Sequence, residues 1–145
     1  MLRRPREEDY RGLLEFRTGL RRFLRWSEEA AEAAGVTPSQ HQLMLAIGGH
    51  DDPRGPTIGD VAEYLVSKHH SVVELVDRAQ AAGLVQRRQD PLDHRVVRLA
   101  LTRSGSDILQ QLGALTVAEL SRIAPRMREM WAGLEQAGRE ASARA

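Results

Sequence analysis

Between Gly83 and Thr102 the spacing of apolar residues in this chain changes from three-and-four to two, once, and then changes back. Val97, Leu99 and Leu101 alternate with Val96, Arg98 and Ala100, and Leu84-Val85 leads into Gln86-Arg87-Arg88. Period-two alternation puts successive side chains on opposite faces of a strand, whereas three- and four-residue spacing makes one face of a helix. The intervening Gln89-Asp-Pro-Leu-Asp-His-Arg95 is a turn rich in charge, so this stretch predicts a β-hairpin inside an otherwise helical chain.

Helical spacing governs the rest. From about Asp9 to Ala34, residues Leu13, Phe16, Leu20, Phe23, Ala30 and Ala34 form a stripe that Gly35 ends as a C-cap. Thr37-Pro38 supplies an N-cap and a first-position proline for a second helix through Leu43, Ala46 and Ile47. A loop rich in Asp, Pro and Gly follows. Thr57 and Asp60 then stand at capping-box spacing ahead of a short third helix carrying Ile58, Val61, Ala62 and Leu65. After a turn near Val66-Ser67, a fourth helix bears Val72, Val73, Leu75, Val76 and Ala79 and stops at Gly83. Thr102 caps a long fifth helix, which Pro125 is expected to break, leaving a sixth with Met127, Met130, Trp131 and Leu134. The fold class is therefore mainly α with a small β-hairpin (α+β). Residues 1–145 read as a single domain: a lobe over 37–101, flanked by helices over 8–34 and 103–140.

Composition excludes several classes of function. The 145 residues hold no cysteine, which removes disulfides, thiolate metal sites and thiol redox sensing. The basic N-terminus is followed by Glu7, Glu8 and Asp9 instead of an apolar run, and nothing approaches the roughly 18 apolar residues needed to span a membrane. A soluble, cytoplasmic protein is expected. There is no Gly-x-Ser-x-Gly, phosphate loop or dinucleotide fingerprint, and the carboxylates are scattered among arginines on helix faces, so no enzymatic activity and no cofactor are expected. His69 and His70 are adjacent and point about 100° apart on a helix, which is unsuited to chelating one metal ion. His41 and His50 read as surface or hydrogen-bonded histidines.

The informative unit runs from Thr57 to Leu101: short helix, tight turn, second helix, glycine stop, charged hairpin. Helix-turn-helix proteins lay the second helix in the DNA major groove and touch base edges with its first residues. Here those residues are Ser67-Lys68-His69-His70-Ser71, polar throughout, and the hairpin adds Arg87, Arg88, Arg95 and Arg98. A winged helix-turn-helix that merely docks other subunits is the alternative, but it would present apolar residues at these positions.

Asp60-Val-Ala-Glu-Tyr-Leu65, Val73-Glu-Leu-Val-Asp-Arg78, Gly83-Leu-Val-Gln-Arg87, Asp90-Pro-Leu-Asp-His-Arg95 and Leu101-Thr102 with Gly105 together resemble the signature of the MarR (multiple antibiotic resistance regulator) family, in order and spacing and over nearly the whole chain. The resemblance implies a homodimeric transcriptional regulator, typically a repressor, on a pseudo-palindromic DNA operator and often released by a small molecule. It implies major-groove roles for Lys68, His69, His70 and Ser71, and DNA contacts from Arg78 and from the wing arginine Arg95. Asp77 matches an acid that can hold that wing arginine, with Arg87, Arg88 and Arg98 supporting the wing. His69-His70 depart from the usual pattern, where small residues or arginine are commoner, so base preference does not carry over. The outer helices imply a dimer interface including Leu13, Phe16, Leu112, Leu115, Trp131 and Leu134; Trp26 and Trp131 are also candidates for lining an effector pocket.

Charge adds a constraint. The net charge is +1, and from Thr57 to Leu101 six Lys/Arg face six Asp/Glu. Attraction to DNA then requires the cations to face outward while the acids are engaged elsewhere.

Overall fold

A computed structural model describes residues 4–143. Its elements are α1 (Glu7–Ala33), α2 (Pro38–Gly48), α3 (Ile58–Tyr64), α4 (His69–Ala81), β1 (Val85–Gln89), β2 (Val97–Leu101) and α5 (Arg103–Ala143). No helix among the described residues is long and apolar enough to cross a membrane. The chain divides into two compact units, residues 28–114 and the terminal segments through Ser27 and from Leu115.

In the central unit, local chemistry sets the helix starts. Thr37 Oγ1 accepts from the Gln40 backbone N–H at 3.1 Å while Gln40 Oε1 accepts from the Thr37 N–H at 3.0 Å. Thr57 and Asp60 repeat this reciprocal cap at 3.1 and 2.9 Å. Each box satisfies two of the N–H groups that a helix start leaves without partners. The core of this unit is aliphatic: Leu43 and Met44 of α2, Val61 of α3, Val72 and Val76 of α4, and Leu99 of β2 are all buried. The hairpin is antiparallel, pairing Val85 with Leu101, Arg87 with Leu99 and Gln89 with Val97. Its base is fastened to α5, where the Thr102 hydroxyl donates to Gly83 O at 2.6 Å and accepts from the Gly105 N–H at 3.0 Å. Gly105 lies so close to the Leu84 carbonyl that a Cβ would collide with it.

In the terminal unit, α1 and α5 pack side by side. Phe16 and Trp131 rings lie 6.1 Å apart, Arg126 Nε donates to Glu15 at 2.9 Å, Met130 is buried, and Leu134 covers the space a Cβ on Gly12 would need. This packing corrects one expectation. Pro125 lies inside α5, which continues to Ala143 as one helix, so there is no separate sixth helix. An internal proline costs a helix about 3 kcal/mol, and the contacts that α5 makes with α1 on the far side of Pro125 offset that cost. Leu112 is a second correction. Expected on a subunit interface, it is 1% exposed and belongs to the core of the central unit, so its side chain has no surface to offer a partner.

The turn between α3 and α4 is strained. Val66 has φ 48° and a side chain 93% exposed, an unfavourable conformation for a β-branched residue that no packing repays. Val66→Gly should therefore stabilise the protein by about 0.5–1 kcal/mol, the left-handed penalty less the extra chain entropy of glycine. Urea unfolding checks this, and a lower midpoint in the variant contradicts it.

Candidate nucleic-acid interface

The first turn of α4 is polar and exposed. Lys68 occupies the N-cap without a side-chain cap bond, in contrast to Thr37 and Thr57, and the backbone N–H groups of this turn have no side-chain acceptor. Lys68, His69 and His70 are exposed, Ser71 is half-buried, and Arg78 is exposed in the last turn. The opposite face of α4, with Val72, Leu75, Val76 and Ala79, is buried. One helix thus presents its polar start outward because its apolar stripe is held by the core.

The wing arginines divide by role. Arg95 is at the hairpin tip with its side chain 90% exposed, and its guanidinium forks onto Asp93 at 3.0 and 2.9 Å. That contact lowers the Asp93 carboxyl and raises the Arg95 guanidinium relative to their ordinary values. Asp77, expected to hold Arg95, instead pairs with Arg87 at 2.7 Å, and Arg87 also donates to Gln80 at 2.7 Å. The reason is reach: Arg87 sits on β1 beside α4, while Arg95 lies beyond the strands and finds an acid in its own turn. Arg88 is exposed and opposite Arg98 in the ladder. Arg98 turns inward, its side chain only 15% exposed.

Arg98 meets a buried carboxylate that residue spacing did not reveal as a centre. Asp90 is 2% exposed and accepts from Arg98 Nε at 2.8 Å, Arg54 Nη1 at 3.2 Å, and the backbone N–H groups of Leu92 and Asp93 at 2.7 and 3.2 Å. The Leu92 N–H first, and then Arg98 and the Asp93 N–H, hold the Asp90 carboxyl below the usual carboxylate range. Arg54 also forks onto Asp52, whose carboxyl is strongly lowered. Arg98 Nη1 donates to Gly55 O at 3.1 Å, and the Leu99 N–H donates to Pro56 O at 2.8 Å. Gly55, at φ 88°, sits where a Cβ would run into the Leu99 carbonyl. The wing root is therefore bolted to the loop between α2 and α3. The only sequence signal was the pairing of Arg88 with Arg98 once the register is known, since facing like charges call for a nearby acid.

With these contacts made, the charge balance acquires direction. Of the six acids from Thr57 to Leu101, Asp60, Asp77, Asp90 and Asp93 are capped or paired. Lys68, Arg78 and Arg88 have no ion-pair partner among the described residues. Elsewhere, His50 Nδ1 lies 2.8 Å from the Tyr64 hydroxyl, and burial lowers the His41 imidazole. No cluster of three or more potential metal-ligating His, Cys, Asp or Glu occurs among the described residues.

Comparison with known proteins now bears on this geometry. A family model described as the MarR family matches residues 34–96, the segment that holds the helix-turn-helix and most of the wing. Over that segment the chain is similar to the MarR family. Among curated relatives, the HTH-type transcriptional repressor MdtR of Bacillus subtilis is 28% identical over 94 residues, covering 65% of this chain and 59% of MdtR. Among solved structures, the MarR family transcription regulator SP03579 has a TM-score of 0.71 at 22% identity, covering 94% of this chain and 93% of its own. A point mutant of Staphylococcus aureus MepR, bound to an oligodeoxyribonucleotide, has a TM-score of 0.63 at 19% identity, covering 85% and 92%. At these identities the structural likeness concerns the fold alone: a winged helix-turn-helix, with α3 and α4 as its helix pair and β1–β2 as its wing.

The buried Asp90 generates a prediction with a definite sign. Its folded-state pKa is depressed, so its contribution to stability is complete above the unfolded value of about 4 and is lost as pH falls through the folded value. Asp90→Asn should lower stability at pH 7 and flatten the decline of stability below pH 4. Urea unfolding across a pH series reads both. An unchanged slope on the acid side would show that the carboxylate is not held as described.

Proposed function

We propose that this chain is a sequence-specific DNA-binding transcriptional regulator, a repressor, acting as a homodimer on a pseudo-palindromic operator. The single observation that carries the reading is the outward, uncapped start of α4, with Lys68, His69, His70 and Ser71, in the same lobe as a firmly anchored wing whose tip arginine, Arg95, is exposed. An α-helix fits the major groove, and an arginine on a projecting hairpin suits the phosphate backbone or the minor groove. The names of the relatives support it, since MdtR is a transcriptional repressor and the MepR mutant was solved on an oligodeoxyribonucleotide. The proposal includes no catalytic step and no cofactor, and it puts the protein with the DNA in the cytoplasm. A protein-docking role for the lobe is not favoured, because the surface it would use is polar.

Dimerisation rests on apolar surface left uncovered in the terminal unit. Leu13, Leu14 and Leu24 of α1 and Leu115, Val117 and Trp131 of α5 are between 46% and 65% exposed. Contiguous exposed apolar surface in a soluble chain marks a contact with a partner, and a second copy gives a two-fold assembly suited to a palindrome. The domain reading follows: residues 37–101 bind DNA, and the flanking helices over 8–34 and 103–140 join the subunits, with Leu13, Phe16, Leu115, Trp131 and Leu134 at the join and Leu112 removed from it. A small-molecule effector is part of the proposal. Trp26, with Phe23 stacked at 6.0 Å, lines a cleft of about 750 Å3 between α1 and α5; Trp131 does not line it and packs on Phe16 instead.

Selection of bound duplexes from random DNA tests the reading directly and should return an inverted repeat with half-sites about one helical turn apart. Light scattering on dilute protein should give twice the chain mass of 16.2 kDa; a folded monomer removes the dimer from the proposal. Arg95→Ala should weaken the selected duplex and a random duplex alike and lower the salt slope by about 1. His70→Ala should lower only the preference for the selected duplex, by about 1–3 kcal/mol. Equal losses on both duplexes for both variants would mean that the reading residues are misplaced.

A further inference from the structure

A recess of about 220 Å3 opens on the lobe where α2 meets α4. Ser39 and Gln42 of α2 line one side, and Ser67, Ser71 and Arg78 line the other, over an apolar floor that includes Leu75. No carboxylate lines it. The side chains of Ser39, Gln42, Ser67 and Ser71 make no hydrogen bond within the described residues, and Arg78 has no ion-pair partner there. Three hydroxyls, an amide and a free guanidinium converge on one concave space that holds no compensating group.

That donor set is suited to a phosphate. The amide and the hydroxyls can each donate to an anionic oxygen, and the guanidinium supplies the matching charge. The volume accommodates a phosphate group with several waters, each of about 30 Å3 in the liquid. Ser67 adjoins Lys68, so the recess continues the row of polar residues at the start of α4 instead of forming a separate patch.

We propose that the recess seats a backbone phosphate of duplex DNA, with Ser39 and Gln42 of α2 as contacts beyond the recognition helix and the wing, and with Ser67 on that phosphate instead of a base edge. The inference rests on the DNA-binding reading above. Its consequence is mechanical: α2, which carries no base-reading residue, grips the backbone and sets the depth at which α4 enters the groove. Such contacts position a protein on DNA without reading sequence.

The test uses the full chain, its selected duplex and a random-sequence duplex. Ser39→Ala/Gln42→Ala, and separately Ser67→Ala, should weaken both duplexes in parallel, by about tenfold for the double variant. Their salt slope should stay at the wild-type value, because neutral donors release no counterions, whereas Arg78→Ala should lower it by about 1. Phosphate-ethylation interference should lose one protected phosphate per half-site in the double variant. All three sites are exposed, and alanine favours helix at the two in α2, so circular dichroism should match wild type. Unchanged affinity with an unchanged interference pattern overturns the proposal, as does a loss confined to the selected duplex. Calorimetric binding of inorganic phosphate that these variants abolish, with duplex binding untouched, assigns the recess to a small free anion and also overturns it. Wild-type protein that binds neither duplex refutes the DNA reading itself and this inference with it, whereas wild-type binding matched by the variants refutes this inference alone.

Discussion

A carboxylate shut away from water must be compensated or it destabilises the fold, and Asp90 meets that requirement from three directions at once. Arg98 reaches it from β2, Arg54 from the loop between α2 and α3, and two backbone N–H groups from its own turn. The wing cannot swing without uncovering this anion. A two-stranded hairpin alone is marginal in water, so its rigidity has to come from such an anchor and from the pairing of Leu99 with Pro56. Gly55 completes the arrangement by allowing the loop to approach β2 more closely than any side chain would permit.

The same contacts sort the charges. Asp90 draws Arg98 inward, Asp77 holds Arg87 against α4, and Asp93 braces Arg95 in its turn. A segment with as many acids as bases becomes one in which Lys68, Arg78 and Arg88 are exposed and have no ion-pair partner among the described residues. Of the paired arginines, Arg95 keeps most of its surface, and its partner Asp93 is itself partly exposed. An exposed pair of this kind is worth little, so it can be exchanged for a phosphate at small cost.

Much of this was legible in the residues because it depends on neighbours along the chain. Thr37-Pro38 and Thr57 with Asp60 announce helix starts, and the shift to period two between Gly83 and Thr102 announces the hairpin. What escaped depended on distant partners. Pro125 obeys a local rule that breaks helices, and only the packing of α5 against α1 overrules it. The stripe containing Leu112 is apolar whether it faces its own core or another subunit. Asp77 could serve either wing arginine by sequence, and the strand register puts Arg87 within reach. Asp90 looked like one acid in a charged turn, since nothing local connects it to Arg54, 36 positions away.

The contrast among helix starts links the fold to the proposed role. α2 and α3 close their first turns with reciprocal capping boxes, whereas α4 begins at Lys68 with no side-chain acceptor. An uncapped start forgoes about 1 kcal/mol, and the two neighbouring helices demonstrate that this chain places caps where it uses them. At α4 the free N–H groups lie at the positive end of the helix dipole, beside a lysine and two histidines, and an anion supplied from outside would complete them. The same lobe that buries one carboxylate with great care leaves this cationic turn incomplete, and the DNA-binding reading accounts for both: the wing must hold its position before DNA arrives, while the recognition helix must keep its donors free until it does.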